Sequence, residues 1–249
     1  MKMPVMECHG IRRAGLITVA VISVVIMIVT GYGYVAAQRN GWQQMPGSLS
    51  QISAGSDRNV WGVNREGKVW RWSGRDWEMV EGKLTHVSSA ADGSVWGVNR
   101  EGKVWRWSGR DWESMPGRLK QISVGSRDDI WGVTESDEVY RWKRRDWERV
   151  EGRLSYISTG WDGTVWGVNR NDEVWRWSGR RWERMPGALK QVSVGTRDWV
   201  CGVTSSDEVF RWKDGGWLQV DGRLAHISLS SDGTIWGVSR AGQVYKHNR

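Results

Sequence analysis

Residues 61–78 read WGVNREGKVWRWSGRDWE, and residues 96–113 repeat those letters without a change. The tripeptide that opens both copies, Trp-Gly-Val, returns every 35 residues, with Cys-Gly-Val in one copy; its first residues are Trp61, Trp96, Trp131, Trp166, Cys201 and Trp236. A second series keeps the same period: Trp42, Trp77, Trp112, Trp147, Trp182 and Trp217. A fixed period of this length is the signature of a repeat protein, so the repeat decides the fold.

Each copy contains four short β-rich runs separated by turn residues. In the first copy the runs are Trp42–Met45, Leu49–Ala54, Val60–Asn64 and Val69–Trp72. Four such strands in each repeat are typical of a propeller blade. A linear solenoid is a weaker interpretation, because it would need atypical capping repeats, which the sequence does not contain. We therefore predict an all-β, six-bladed β-propeller over residues 40–249.

The two ends of the repeat region predict how the ring closes. The first copy begins with the Trp42–Met45 strand, whereas the last copy stops after Val244–Lys246 and has no following strand of that kind. We predict that the N-terminal strand completes the last blade, which would leave no open edge in the ring.

The repeated aromatic residues predict the core. One Trp side chain buries about 150–250 Å², so we expect both series to pack between neighbouring blades. We predict Cys201, which replaces Trp, to be a small buried hydrophobic residue. One basic residue per copy lies between two aromatic positions, and it is predicted to stack on Trp faces, to pair with a carboxylate between blades, or to donate to a sugar. These residues are Arg71, Arg106, Arg141, Arg176, Arg211 and Lys246.

An apolar segment precedes the repeats. Residues 14–37 are apolar and follow Arg12 and Arg13, and Val35-Ala36-Ala37 resembles a small-residue cleavage site. Residues 1–37 are therefore either a signal peptide or an uncleaved membrane anchor, each built on an apolar helix. In both cases the basic N-terminus stays in the cytosol, so the repeats are expected outside the cell, secreted or anchored.

Composition excludes several functions. The formal net charge is +8, but basic and acidic residues alternate along the repeats, so no nucleic-acid partner is expected. Neither C-x-x-C nor a Cys/His cluster occurs, so we predict no metal and no cofactor. The four histidines stand in no catalytic motif. We therefore predict no catalytic residues and no enzyme activity, and a membrane contact only through an uncleaved N-terminal segment.

The repeat resembles that of a known family. The pattern G-x-W-x-x-x-P-G-x-L-x-x-I-S-x-G, followed by V-W-G-V-N-x-x-G-x-V-W-R-W, is similar to the tectonin repeat of fish-egg lectins and tachylectin-type lectins, over residues 40–249. This chain departs from the secreted fish-egg lectins in lacking paired cysteines, and His247 replaces one tryptophan of the pattern. The resemblance implies a multivalent lectin in innate defence that binds N-acetylglucosamine-type sugars or bacterial lipopolysaccharide, with glycans on microbial or egg surfaces as its partners. The alternative is a propeller that serves as a non-catalytic protein-binding scaffold.

Loop residues are the expected sugar contacts, because loops carry polar groups to solvent. The tryptophans that lie outside the 35-residue series are added as stacking surfaces. The candidates are Asn64, Arg65, Asn99, Arg100, Asn169, Arg170, Arg240, Trp161 and Trp199. A second period of 70 residues, seen as Met-Pro-Gly at 45, 115 and 185, pairs the copies into three doublets. The sequence therefore predicts about three strong sites.

Overall fold

The computed structural model describes residues 41–248, which form 24 strands in six four-stranded antiparallel sheets. Blade 1 contains β2 (Gln51–Ser56), β3 (Asn59–Val63), β4 (Lys68–Trp72) and β5 (Trp77–Lys83). Blade 2 contains β6 (His86–Ser89), β7 (Val95–Val98), β8 (Lys103–Trp107) and β9 (Trp112–Arg118). Blade 3 contains β10 (Gln121–Ser126), β11 (Asp129–Val133), β12 (Glu138–Lys143) and β13 (Asp146–Arg153).

The second half of the ring repeats this order. Blade 4 contains β14 (Tyr156–Thr159), β15 (Val165–Val168), β16 (Glu173–Trp177) and β17 (Trp182–Ala188). Blade 5 contains β18 (Gln191–Thr196), β19 (Trp199–Val203), β20 (Glu208–Lys213) and β21 (Gly216–Arg223). Blade 6 contains β22 (His226–Leu229), β23 (Ile235–Val238), β24 (Gln243–His247) and β1 (Trp42–Ser48). The six-bladed propeller is therefore confirmed, whereas the predicted N-terminal helix lies outside the described residues.

The first strand of each blade lies innermost. These six strands contact one another in a closed circle, β2, β6, β10, β14, β18, β22 and again β2. Blade 6 is completed by β1, which pairs antiparallel with β24 from Trp42–His247 to Ser48–Gln243. The predicted closure by the N-terminal strand is confirmed. Among residues 41–248 no helix is long and apolar enough to cross a membrane.

One serine of each innermost strand connects its blade to the next. In blade 1 the Ser53 hydroxyl accepts a hydrogen bond from the Ser89 backbone N–H of blade 2 at 2.9 Å. The same contact occurs at the other five junctions, and in the last of them Ser228 accepts from Ala54 at 2.8 Å. Hydrogen bonds between buried partners therefore join all six blades, which explains why small hydroxyl residues occupy these positions.

The tryptophans of the Trp-Gly-Val series fill the space between blades, as predicted. Trp61 is 2 % exposed and lies in one cluster with Val63 of its own blade and with Leu84 and Val87 of blade 2. Cys201 takes the same place between blades 5 and 6 and is fully buried. Burial raises the pKa of its thiol to about 12, so Cys201 behaves as the predicted small hydrophobic residue.

The basic residue of the third strand does not bridge two blades in most copies. Arg71 pairs with Glu78 at 2.8 Å, and both residues belong to neighbouring strands of blade 1. Blades 2 and 4 repeat this pair within one sheet, as Arg106–Glu113 and Arg176–Glu183. The expected carboxylate pairing between blades is therefore wrong for these copies, because the β4–β5 register places the glutamate directly opposite the arginine.

Candidate functional site

The propeller has two faces that differ in their loops. Because neighbouring strands are antiparallel, the turns β2–β3 and β4–β5 lie on one face, here called face A, with their equivalents in the other blades. The turns β3–β4 and the links between blades lie on the opposite face, called face B. Trp161 and Trp199 belong to face A, whereas every Asn and Arg candidate belongs to face B. The structure therefore does not bring the expected stacking surfaces together with the expected polar contacts.

The candidate asparagines build their own turns. The Asn64 side-chain oxygen accepts hydrogen bonds from the backbone N–H groups of Glu66 and Lys68, at 3.1 and 2.9 Å. Asn99 and Asn169 accept the equivalent pairs. An asparagine that closes a turn in this way has a structural role, which accounts for its recurrence in the repeat without a ligand.

Two of the candidate arginines are bound by buried carboxylates of the preceding blade. Arg170 forms an ion pair with Asp137, and Arg240 forms one with Asp207. Burial alone would raise the pKa of Asp137, but the hydrogen bonds and charges of Lys120 and Arg170 more than offset it, so that pKa lies below its usual range. Both carboxylates are therefore ionised, and they hold the arginines against face B.

The other two candidate arginines have different surroundings. Arg65 donates a hydrogen bond to the backbone carbonyl of Arg240 in blade 6 at 2.6 Å. Arg100 makes no hydrogen bond or ion pair with any residue in the described part of the chain. Both residues line a pocket of about 540 Å³ between blades 1 and 2 on face B.

Face A has a larger groove between the same two blades, with a volume of about 640 Å³. Trp72 and Trp107 line it, together with the Arg71–Glu78 pair. Arg71 and Glu78 are both about half exposed. The groove therefore combines indole surface with a charged donor and acceptor in open contact with solvent.

Two polar side chains of the groove are positioned by the backbone. Asn59 donates to the carbonyl of Ala90 at 2.7 Å and accepts from the indole of Trp61 at 2.8 Å. Asp92 accepts from the backbone N–H groups of Ser94 and Arg127, at 2.9 and 2.8 Å. Burial would raise the pKa of Asp92, but these hydrogen bonds lower it overall, so the carboxylate is ionised.

The equivalent grooves of the other two doublets are lined differently. Asp129 replaces Asn59 between blades 3 and 4 and pairs with Arg141 at 2.9 Å. Trp199 occupies the equivalent position between blades 5 and 6. Its ring lies against Gly233, and the guanidinium carbon of Arg211 lies 5.8 Å from the ring centroid. Trp199 therefore fills the groove in which Asn59 leaves space. The three doublets present three different surfaces on face A.

Trp161 stands apart from these grooves. Its side chain is 49 % exposed and lies at the face A mouth of the central channel. Its backbone N–H donates to the carbonyl of Gly195 in blade 5 at 2.9 Å, which fixes the turn that carries it. It is an accessible indole, but the grooves contain other tryptophans.

The sequence did not indicate the groove residues Asn59, Arg71, Glu78 and Trp107 as a set. The available signal was the β4–β5 hairpin, in which Arg71 and Glu78 must face each other across a short turn. In the described part of the chain no group of three or more His, Cys, Asp or Glu residues could hold a metal ion.

The face B end of the channel is filled by aromatic side chains from alternate blades. His86, Tyr156 and His226 lie with their ring centroids 6.0 to 6.3 Å apart. The Tyr156 hydroxyl is 3.2 Å from Nε2 of His226. Burial lowers the pKa of both histidines to about 3, and for His226 the charges of His86 and Lys190 add to the effect.

The stability of the ring is expected to fall as the pH drops from 6.5 towards 3. The folded-state pKa of each histidine, about 3, lies below its unfolded value of 6.5, so the unfolded chain takes up protons first. Their contribution is complete above pH 6.5 and decreases by a few kcal/mol per histidine as the pH falls. Thermal melts between about pH 7 and about pH 4 measure this loss.

The double variant His86→Gln, His226→Gln is the control for this pH dependence. Gln51 occupies the equivalent channel position in blade 1, so the ring accommodates that side chain. The carboxylates of Asp137 and Asp207 titrate below 3.8, so their contribution disappears only at lower pH. An equally steep loss in the double variant above that pH would show that the histidines are not responsible.

Comparison with known proteins gives one family match. The Tectonin domain model matches residues 19–76, 60–180 and 175–249. A comparison with curated protein sequences gives no match.

Solved structures similar to the chain are other propellers. A Bacteroides thetaiotaomicron protein of unknown function superposes with a TM-score of 0.64 at 14 % identity, covering 84 % of this chain and 72 % of that one. The WD40 propeller domain of Doa1 gives 0.61 at 13 % identity, covering 85 % and 98 %. YCF48 bound to a D1 peptide gives 0.55 at 15 % identity, covering 81 % and 77 %. At these identities the likeness concerns the fold alone.

Proposed function

This chain belongs to the tectonin family, and from that premise we propose that it is a carbohydrate-binding lectin whose principal sugar site is the face A groove between blades 1 and 2. The observation that supports the proposal is the composition of that groove. The partly exposed Trp107 offers apolar surface, and Arg71, Glu78, Asn59 and Asp92 supply donors and acceptors around a volume of about 640 Å³. Sugars need both, because each ring has apolar C–H faces and hydroxyl groups at its edges. The volume falls within the range of small-molecule sites.

The substrate class and location follow from the family resemblance and from the sequence before the repeats. N-acetylglucosamine-type sugars, alone or in bacterial lipopolysaccharide, are the proposed ligands, and glycans of microbial or egg surfaces are the proposed partners in innate defence. The basic residues before the apolar segment 14–37 favour a propeller outside the cell. The Arg–Glu pairs of blades 2 and 4 offer further, differently lined surfaces, so weaker sites could add avidity on a repetitive glycan.

We expect monovalent sugar titration of the protein to give one strong site per chain. The sequence predicted about three, but Asp129 and Trp199 change the groove in the other two doublets. A glycan array identifies the sugar, and calorimetric titration measures the stoichiometry. Three sites of equal affinity would contradict the assignment to this groove. Absence of binding to any glycan, with capture of a protein partner that free sugar does not displace, would support the scaffold alternative.

The variant Arg71→Gln, Glu78→Gln is expected to weaken sugar binding about tenfold or more, because it removes the charged donor and acceptor of the groove. Arg176→Gln, Glu183→Gln is the matched control, since it removes the same pair from blade 4. Both pairs are exposed enough that their loss should change the melting temperature little. Equal affinities of the two variants for the sugar would place the site elsewhere.

A further inference from the structure

Face B repeats one structural unit at each of the three doublets. Each unit contains three residues. The first lies in the turn between the second and third strands of blade 1, 3 or 5, the second lies in the link that precedes that blade, and the third is an arginine of the next blade. The turn residues are Gly67, Asp137 and Asp207; the link residues are Ser50, Lys120 and Lys190; the arginines are Arg100, Arg170 and Arg240. The three units have the same backbone geometry, so differences in their side chains can be compared directly.

Two of the units are complete within the protein. The Asp137 carboxylate pairs with Lys120 on one side and with Arg170 on the other. Asp207 pairs with Lys190 and Arg240 in the same way. Both aspartates are 7 % exposed and have positive φ angles, of 66° and 69°, at the turn position. In these doublets one buried carboxylate is shared by the arginine and the link lysine.

The first doublet lacks the acid. Gly67 has the same left-handed conformation, with φ of 80°, but no side chain, and Ser50 replaces the lysine. The space between them is the face B pocket of about 540 Å³. Arg100 lines this pocket and has no partner in residues 41–248. An arginine is thus present where its protein carboxylate is absent.

The charges around the pocket favour an anion. Arg65 lines it at the position where the other doublets have Glu135 and Ser205. Lys83 also lines it. The one carboxylate in the lining, that of Glu66, is paired with Lys68 at 2.8 Å, and this hydrogen bond, the Lys68 charge and Lys83 lower its pKa. The pocket therefore has a surplus of positive charge.

We propose that this pocket is a binding site for a ligand that carries an oxyanion, a carboxylate or a phosphoryl group, which takes the place of the missing aspartate opposite Arg100. The planar guanidinium of Arg100 offers paired donors to such a group, and Lys83 and Arg65 add charge. The pocket is much larger than one such group, so it accommodates a carrier as well. This site lies on the face opposite the proposed sugar groove and is independent of it.

The test introduces a carboxylate at the position of Gly67. In the full-length chain, Gly67→Asp restores the residue that Asp137 and Asp207 provide at the same positive φ, so the variant should fold normally. We expect it to weaken the binding of inorganic phosphate and of acetate, measured by calorimetry at low salt, about tenfold or more, because the new carboxylate competes for Arg100. Arg100→Gln should have the same effect by removing the donor.

Two controls separate the pocket from general charge effects. Gly102→Asp adds the same charge at the equivalent turn position of blade 2. An aspartate is tolerated there, because blade 4 has Asp172 at this position with φ of 59°. The next blade has Glu135 at the position equivalent to Arg100, so the new carboxylate meets no arginine of that blade. Arg170→Gln removes an arginine that already has a carboxylate partner. Both should bind phosphate like the wild type. Unchanged phosphate affinity in Gly67→Asp and Arg100→Gln, or an equal loss in the two controls, would overturn the proposal.

Vesicles distinguish the two sources of the oxyanion. The wild type binding phosphatidylglycerol vesicles more tightly than neutral vesicles, with Gly67→Asp abolishing the difference, would support the pocket with a lipid headgroup as its ligand. If Gly67→Asp weakens the binding of phosphate or acetate but the wild type shows no preference for phosphatidylglycerol vesicles, the pocket is supported with a soluble ligand.

Discussion

Deletion of residues 40–47 is expected to lower the melting temperature of the protein far more than deletion of residues 1–37. The first deletion removes most of β1 and leaves β24 as an open edge. It also removes Trp42, which is 6 % exposed and packs with Leu224 and Ile227 between blades 5 and 6. The ring then loses a strand and an inter-blade core residue together, so we expect it to open.

The single variant Trp42→Ala isolates the side chain from the strand. The Trp42 indole donates a hydrogen bond to the Asp221 carbonyl of blade 5, so it connects the first repeat of the sequence to the sixth. Truncation of a buried Trp costs about 3–5 kcal/mol, or roughly 10 °C in a domain of this size. Differential scanning calorimetry measures both effects. A protein without residues 40–47 that melts like one without residues 1–37 would contradict closure by β1.

Gly195→Ala is expected to destabilise the ring by about 3 kcal/mol, which corresponds to roughly 6–12 °C in melting temperature. Gly195 lies in β18, where a Cβ atom would fall on the backbone carbonyl of Ser230 in blade 6. Gly55 and Gly125 have the same contact with the next blade. Because the obstacle is backbone and not a movable side chain, the added methyl group must push the two blades apart.

Gly216→Ala is the matched control in the same blade. A Cβ atom at Gly216 would meet no atom within 4 Å, and its φ angle suits any residue. It should therefore leave the thermal melt almost unchanged. If both variants melt together, the close approach of the innermost strands does not limit the packing of the ring.

The sequence predicted much of the architecture because the same pattern of strands and turns occurs in six copies. The Trp-Gly-Val series predicted six equivalent cores, and the strand count predicted that Trp42 belongs to the last blade, which the pairing of β1 with β24 confirms. Both inferences need only strand order and a count of copies. Neither depends on where a side chain points.

The site residues were harder to predict. Arg100 and Arg170 follow the same Trp-Gly-Val-Asn motif, yet Arg170 is paired with Asp137 and Arg100 faces the empty position above Gly67. The residue that distinguishes them lies 33 residues earlier, in the preceding blade. The difference between Gly67 and Asp137 was visible in the sequence, but its meaning required the knowledge that the two blades meet there.

The sequence by itself therefore determined the number of blades, the closure and the burial of the Trp-Gly-Val tryptophans, because a period of 35 residues repeats the same local pattern of strands and turns. Only the tertiary structure decided which loops share a face and which arginines are free of a carboxylate. Antiparallel strands send successive turns to opposite ends of a blade, so Trp161 and Arg170 lie on opposite faces although they are only nine positions apart. Contacts between blades join residues about one repeat apart, and their charges combine only once the ring has closed.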